Sequence, residues 1–183
     1  ARPGAKDLIL VLGTGSGILP VLLLSMQPRA SAAAIELEPA ACQLAQKNFT
    51  CNGLDARTRL ISGDLRQHRT LVPAGGFDLT VSNPPYFPVG TGYDAAAGLQ
   101  NARGDGTCTL DDLCCAAAWA TRWGGRFCLV FRPDRIAQLF VALDRAGFAP
   151  KRLRPVHHDA ASAANLVLVE ARRGGKPGLI WEK

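Results

Sequence analysis

The strongest constraint in this chain is an aliphatic run that stops on a glycine turn and restarts as a helix. Asp7 to Leu12 is mostly aliphatic, Gly13-Thr14-Gly15-Ser16-Gly17 follows, and Ile18 to Met26 reads as a helix. Pro20 is tolerable in the first turn of that helix, and Pro28 marks its end. A strand that is apolar throughout is buried on both faces, as in parallel sheets covered by helices. Glycines between such a strand and a helix N-terminus let the backbone pass close to a ligand, which is how open α/β sheets build cofactor sites. The spacing here is Gly-x-Gly-x-Gly, so the dinucleotide fingerprint fails at its third glycine, and no Lys-Ser/Thr phosphate loop is present. A cofactor without a pyrophosphate and a plain strand-to-helix turn both remain open.

The next strands supply acids at matching places. Ala32 to Ile35 reads as a second strand ending in Glu36, where a carboxylate can accept hydrogen bonds from vicinal ribose hydroxyls. Glu38 competes for that role, but it stands just before Pro39 and reads as the start of a helix over Ala40 to Asn52. That helix carries an apolar stripe of Ala41, Leu44, Ala45 and Phe49, and Gly53 stops it. Arg59 to Ile61 is a third strand, followed by Ser62-Gly63-Asp64-Leu65. Asp64 can accept from the exocyclic amine of an adenine and Leu65 can pack on its ring, although Gly-Asp alone is also a turn.

Phe77 to Val81 is a fourth strand, and it runs into Ser82-Asn83-Pro84-Pro85-Tyr86-Phe87. Consecutive prolines work against both a helix and a central strand, so the chain leaves the sheet edge in a stiff, extended turn. The Asn83 side-chain carbonyl and the Pro84 backbone carbonyl are acceptors beside two aromatic rings, a set that suits a flat group bearing N–H donors. A proline turn packed by aromatics is the alternative. Four strand ends converge on one crevice in this reading.

Val89 to Cys108 has no period and reads as a loop that covers a substrate, with Arg103 its only cation. Leu110 to Trp123 is expected to be a helix capped by Thr109, with Asp111 and Asp112 in its first turn and Gly124-Gly125 ending it. A fifth strand over Phe127 to Phe131, a helix over Asp134 to Ala146 stopped by Gly147, and a closing strand pair over Lys151 to Val156 and Leu166 to Ala171 complete the pattern. His157 and His158 read as surface histidines, since sequence neighbours point opposite ways and do not make a metal pair.

The length of 183 residues fits one domain. No run approaches the ~20 apolar residues that span a bilayer, and no signal peptide is visible. Six cysteines without Cys-x-x-Cys read as reduced thiols of a cytoplasmic protein, with no metal expected. The net charge of +6 makes a polyanion a fitting partner. The chain begins without Met shortly before its first strand, so an upstream segment is expected to be missing.

Gly13 to Gly17, Glu36, Asp64 and Asn83-Pro84-Pro85-Tyr86, in this order and spacing, resemble the class I S-adenosylmethionine-dependent methyltransferases of the amino-methylating type. Pro85-Tyr86-Phe87 with its Gly-rich loop, Ala102-Arg103 ahead of Leu110, and the ending from Val156-His157 through Glu170 to Lys176 resemble the bacterial tRNA-valine adenine N6-methyltransferases. The resemblance implies an α/β, Rossmann-like fold whose mostly parallel seven-stranded sheet has helices on both faces and an antiparallel C-terminal strand. It implies S-adenosylmethionine as cofactor, with Gly13, Thr14, Gly15 and Gly17 at its methionine part, Glu36 and Leu37 at the ribose, Asp64 and Leu65 at the adenine, and Asn83 beyond. It implies that Asn83, Pro84, Pro85 and Tyr86 carry the chemistry, that Tyr86, Phe87 and Arg103 meet the substrate, and that the partner is nucleic acid, tRNA first. One position departs from the family: the usual acid two places before the first glycine is Val11 here, and Asp7 lies too far back to replace it. The same Asn-Pro-Pro-Tyr chemistry serves methylation of a protein glutamine amide or of DNA adenine, and a non-catalytic cofactor- or RNA-binding module is the reading from a different class.

Overall fold

The computed structural model describes residues 1–84, 108–159 and 161–182. The first strand, β1 (Leu8–Leu12), leads through the glycine turn into α1 (Ile18–Met26), β2 (Ser31–Glu36), α2 (Pro39–Cys51), β3 (Thr58–Ser62), α3 (His68–Leu71) and β4 (Phe77–Ser82). Beyond residues 85–107 come α4 (Leu110–Ala120), β5 (Thr121–Phe131), α5 (Ile136–Arg145), β6 (Phe148–His157), β7 (Ala164–Arg173) and β8 (Ile180–Trp181). The sheet order is β3-β2-β1-β4-β5-β7-β6-β8, and β1 to β5 are parallel to one another. Among the described strands β7 alone runs antiparallel, between β5 and β6.

Alternation along the buried strands divides the core into two layers. Ile9 and Val11 of β1, Ala32 and Ala34 of β2 and Leu79 and Val81 of β4 pack with α1 and α2 through Leu23, Leu24, Ala45 and Phe49. Leu10, Leu12, Ala33, Ile35, Phe77 and Phe127 pack on the other face with Leu113, Ala117, Leu139 and Leu143 of α4 and α5. The apolar alternation thus places helices on both faces, as expected. Val11 is fully buried in the first of these layers.

Three expectations need correction. Among the described residues the sheet has eight strands rather than seven, because β8 adds to β6 at Arg152 and Leu153. The Glu182 N–H donates to the Leu153 carbonyl at 2.8 Å, and its carboxylate takes the Arg152 Nε at 2.7 Å. A two-residue strand leaves no periodic signal in the sequence. The helix expected to reach Trp123 stops at Ala120, and β5 begins at once with Thr121. The Thr121 hydroxyl, fully buried, donates to the Ala117 carbonyl at 2.6 Å and lies 2.7 Å from the Thr80 hydroxyl, so the buried Thr80 side chain has its partner when Thr121 joins the sheet. Gly124-Gly125 is therefore not a helix stop. Thr121 pairs with Phe77 and Arg126 with Leu79, and the four residues 122–125 bulge out with Gly124 at φ 72. The helix expected over Asp134 to Ala146 opens instead as a 3-10 turn, Pro133–Arg135, before α5.

Strand order reverses between β1 and β4, since β2 and β3 lie to one side of β1 and β4 and β5 to the other. Ligands of open α/β sheets bind in the crevice outside the carboxyl ends of the strands at such a reversal.

Candidate functional site

The glycine turn sits at this crevice. Gly13, Gly15 and Gly17 have φ values of 66, 55 and 82, all in the left-handed region that L side chains avoid. The Gly13 and Thr14 N–H groups donate to the Ile35 carbonyl at 3.0 and 3.1 Å, tying the turn to β2, and Asn48 of α2 donates to the Ser16 carbonyl at 2.8 Å. The three glycines serve different ends. A Cβ at Gly13 or Gly15 would meet nothing within 4 Å, so their backbone borders open space. A Cβ at Gly17 would come within 2.8 Å of the Phe49 ring and 3.1 Å of Ala45, so Gly17 lets α1 pack against α2. Thr14 is buried, and its Oγ1 has no hydrogen-bond partner among the described residues. Such an orphan is what a polar ligand atom would relieve.

Glu36 ends β2 with its carboxylate in the same place. Its Oε2 accepts from the Gly15 N–H at 2.7 Å, and its Oε1 from the N–H groups of Leu37 and Glu38 at 2.9 and 3.0 Å. Each carboxylate oxygen has more than one acceptor site, so these bonds leave capacity for hydroxyl donors. Leu37 is 63% exposed at the lip, and Glu38 stands at the N-cap of α2, the helix-start role expected of it. The Gly63 N–H donates to the Glu36 carbonyl at 2.9 Å, which brings the end of β3 alongside.

Asp64 follows β3, and its carboxylate is occupied. Arg66 reaches back with Nη2 at 2.5 Å and Nε at 2.8 Å to Oδ2, and its N–H donates to Oδ1 at 2.9 Å. These bonds, the side-chain ones first, hold the Asp64 carboxyl below its ordinary value, against burial pushing the other way. Leu65 packs on the second core layer. The sequence reading missed Arg66. Its signal is an arginine two residues past a turn aspartate, close enough to fold back on it. Also missed was Cys108, whose thiol burial and the charges of Asp112 and Asp64 push up to about 11. The start of α4 therefore borders Asp64, closed by a capping box in which Thr109 and Asp112 exchange hydrogen bonds.

Asn83 lies one residue past β4, exposed, with Pro84 half-buried after it. The Ser82 hydroxyl donates to the Leu12 carbonyl at 2.8 Å across the buried seam, so Asn83 and Gly13 leave neighbouring strands side by side. Pro85, Tyr86, Phe87 and Arg103 lie outside the described residues. The structure thus brings together Gly13, Gly15, Glu36, Asp64 and Asn83. It keeps Asp7 apart, at the amino end of β1, where the carboxylate takes Arg126 Nη2 at 2.9 Å. Val11 offers the crevice no charge. His157 and His158 are exposed at the end of β6.

The "Methyltransferase small domain" family model matches residues 3–135. Over 167 residues the chain is 33% identical to a tRNA1(Val) (adenine(37)-N6)-methyltransferase of Tolumonas auensis, covering 91% of this chain and 68% of that protein. Over 85 residues it is 41% identical to a release factor glutamine methyltransferase of Rhodospirillum rubrum, covering 46% of this chain and 25% of that protein. The chain spans about half the length, 51%, of other curated relatives that it matches. Among solved structures, a predicted O-methyltransferase of Agrobacterium tumefaciens superposes with a TM-score of 0.76 at 20% identity, over 96% of this chain and 77% of that one. With a glycine turn, two strand-end acids and Asn-Pro at one crevice, and a family match over most of its length, the chain belongs to the methyltransferase small domain family.

Proposed function

We propose that this chain transfers the methyl group of S-adenosylmethionine to the N6 amine of an adenine in tRNA. The observation that carries this reading is the convergence of the glycine turn, Glu36, Asp64 and Asn83 at the strand reversal between β1 and β4. The residues present fit the cofactor. The open space at Gly13 and Gly15 and the unpartnered Thr14 hydroxyl suit its methionine part, Glu36 and Leu37 its ribose, and Asp64 with Leu65 its adenine.

When bound, S-adenosylmethionine would supply a methyl group on a sulfonium, whose C–S bond would break as the C–N bond forms, leaving neutral S-adenosylhomocysteine, and the methylated nitrogen would give up one proton to solvent. The adenine amine is conjugated and weakly nucleophilic, so the protein must turn its lone pair out of the ring system. Asn83 and the Pro84 carbonyl do so by accepting its two N–H bonds, which favours a tetrahedral nitrogen and stabilises the positive charge growing there. Acceptors fixed by consecutive prolines need little reorganisation during the reaction. Stacking on Tyr86 would return roughly 1 to 3 kcal/mol of the cost of unstacking the target base. A tRNA acceptor is supported by the relative whose likeness runs through 91% of this chain, well past the cofactor strands.

A second acceptor, a protein glutamine amide, is favoured by the higher identity, 41%, to the glutamine methyltransferase over a shorter stretch. The amide nitrogen is also conjugated, and the same two acceptors would serve. Labelled S-adenosylmethionine offered with separate pools of tRNA, DNA and protein decides between them. Label in tRNA, released as N6-methyladenosine on nucleoside mass spectrometry, is the expected result. Label in protein alone overturns the tRNA assignment, and none in any pool leaves a binding module.

A further inference from the structure

We infer that RNA makes a second contact at the opposite end of the sheet, on a basic platform centred on Trp123; the inference rests on the tRNA reading above. Trp123 belongs to the bulge near the start of β5 and is 74% exposed. Its ring lies so close over Gly174 that an added Cβ there would overlap it, and Gly174, at φ 63, is the residue that turns the chain out of β7. The ring thus packs against Gly174 and leaves most of its surface exposed.

Four cations are anchored to the bulge that carries it, to Thr121 just before it and to the turn after β7. Arg172 Nε donates to the Gly124 carbonyl at 3.0 Å, and Arg173 Nη1 to the Thr121 carbonyl at 2.5 Å. Lys151 Nζ donates to the Lys176 carbonyl, and Arg122 Nη1 to the Trp123 carbonyl at 3.5 Å. Each guanidinium carries five N–H donors, so an anchor to one carbonyl leaves donors for a phosphate. Among the described residues, the carboxylate paired with one of these cations is Asp78, whose Oδ1 takes Arg122 Nε at 2.6 Å and whose Oδ2 takes the Leu8 N–H at 2.8 Å. Held cations around a presented aromatic face are the chemistry of a stacked base with its flanking phosphates.

The platform is separate from the crevice. Leu129 of β5 pairs with Ser82, beside Asn83, whereas Trp123 lies in the bulge between the Leu79 and Phe77 rows, three to five residues back along β4, or roughly 10 to 17 Å of strand. It would therefore hold a part of the RNA remote from the methylated base, raising affinity without touching the chemistry.

Binding and turnover of tRNA by wild type, Trp123→Ala, Trp123→Phe and a Lys151→Ala/Arg172→Ala double variant test this. Trp123→Ala should weaken tRNA binding by about 5- to 100-fold, as expected for one stacked base. Trp123→Phe should retain most of the affinity. The double variant should flatten the salt dependence by about 0.7 to 0.9 log units per log unit of salt for each phosphate that it no longer neutralises. KM for tRNA should rise while kcat and S-adenosylmethionine affinity hold, and an unchanged thermal midpoint shows that the fold is intact. If wild type binds and methylates tRNA and the variants bind it equally well, the platform is overturned and the function stands. If methylation of a protein acceptor suffers with tRNA binding unaltered, the platform serves a protein and the inference is likewise overturned. If wild type shows no salt-dependent tRNA binding, the tRNA reading falls and takes the platform with it.

Discussion

The carboxylate of Glu36 accepts the backbone N–H of Gly15 at 2.7 Å, joining the end of β2 to the turn that follows β1. One side chain thus shapes the glycine turn and faces the crevice. Replacing Glu36 by Ala should lower S-adenosylmethionine affinity by ~10-fold or more, since charge-assisted bonds of roughly 1.5 to 3 kcal/mol are lost. Glu36→Gln keeps an acceptor for Gly15 and should melt close to wild type while still binding more weakly. Unchanged affinity of Glu36→Ala by calorimetry would remove the ribose assignment.

The glycines of the turn should separate binding from stability. Gly15→Ala adds a methyl to open space at φ 55, so it should cost only about 1 kcal/mol of backbone strain while impairing the cofactor cradle. Gly17→Ala drives a methyl into Phe49 and Ala45 at φ 82, so its main loss should be stability, by several kcal/mol. Paired melting curves and titrations check this, and the opposite pattern would reverse the roles of the two positions.

Arg66 holds the Asp64 carboxylate that the proposed function gives to the cofactor's adenine amine, so the two would compete for it. Arg66→Ala should tighten S-adenosylmethionine binding, by less than about 5-fold because a partly exposed ion pair is worth little. A loss of affinity would instead make Arg66 part of the cofactor site. The pair also sets a pH dependence. The folded Asp64 pKa lies below its ordinary 3.8, so the stabilisation is complete above that value and disappears as pH falls through the lower, folded one. In Arg66→Ala the Asp64 carboxyl should titrate closer to 3.8 by NMR.

Asn83 distinguishes an enzyme from a binder. Removing one preorganised acceptor with Asn83→Ala should slow methyl transfer by on the order of 100-fold or more, with cofactor affinity little changed. Asn83→Asp keeps an acceptor and should retain more activity than Ala. Single-turnover rates with tRNA measure both, and a wild-type rate for Asn83→Ala would reduce Asn-Pro-Pro-Tyr to a proline turn.

The fold was legible where periodicity and punctuation agreed. The helix over Ile18 to Met26 and the strand over Phe77 to Val81 are nearly residue-exact, because Gly17, Pro28 and Asn83-Pro84 bound them. Thr121 was not legible. Its place in the sheet is decided by a hydroxyl of Thr80, 41 residues away, and a local reading takes Gly124-Gly125 for a helix stop. At the crevice the residue types were readable and their present partners were not. Glu36 and Asp64 stood out as acids at strand ends, while the Gly15 N–H and the Arg66 guanidinium that hold them come from three-dimensional proximity and a local turn. The platform at Trp123 is a further case, since it joins a bulge to a turn that register alone brings together.

The buried bond from Ser82 to Leu12 spans 70 residues of chain. The strands on the β3 side of the sheet can assemble by short crossovers, each neighbour joined to the next through one helix. Docking β4 against β1 instead closes a long loop, whose entropy is lost before any contact returns it. Asn83 arrives on that strand, whereas the glycine turn, Glu36 and Asp64 belong to the part that can form first. A nascent or partly unfolded chain can therefore carry the glycine turn and both strand-end acids without the residue proposed to orient the amine, and the two halves of the crevice meet only when the longest closure in the parallel sheet is made.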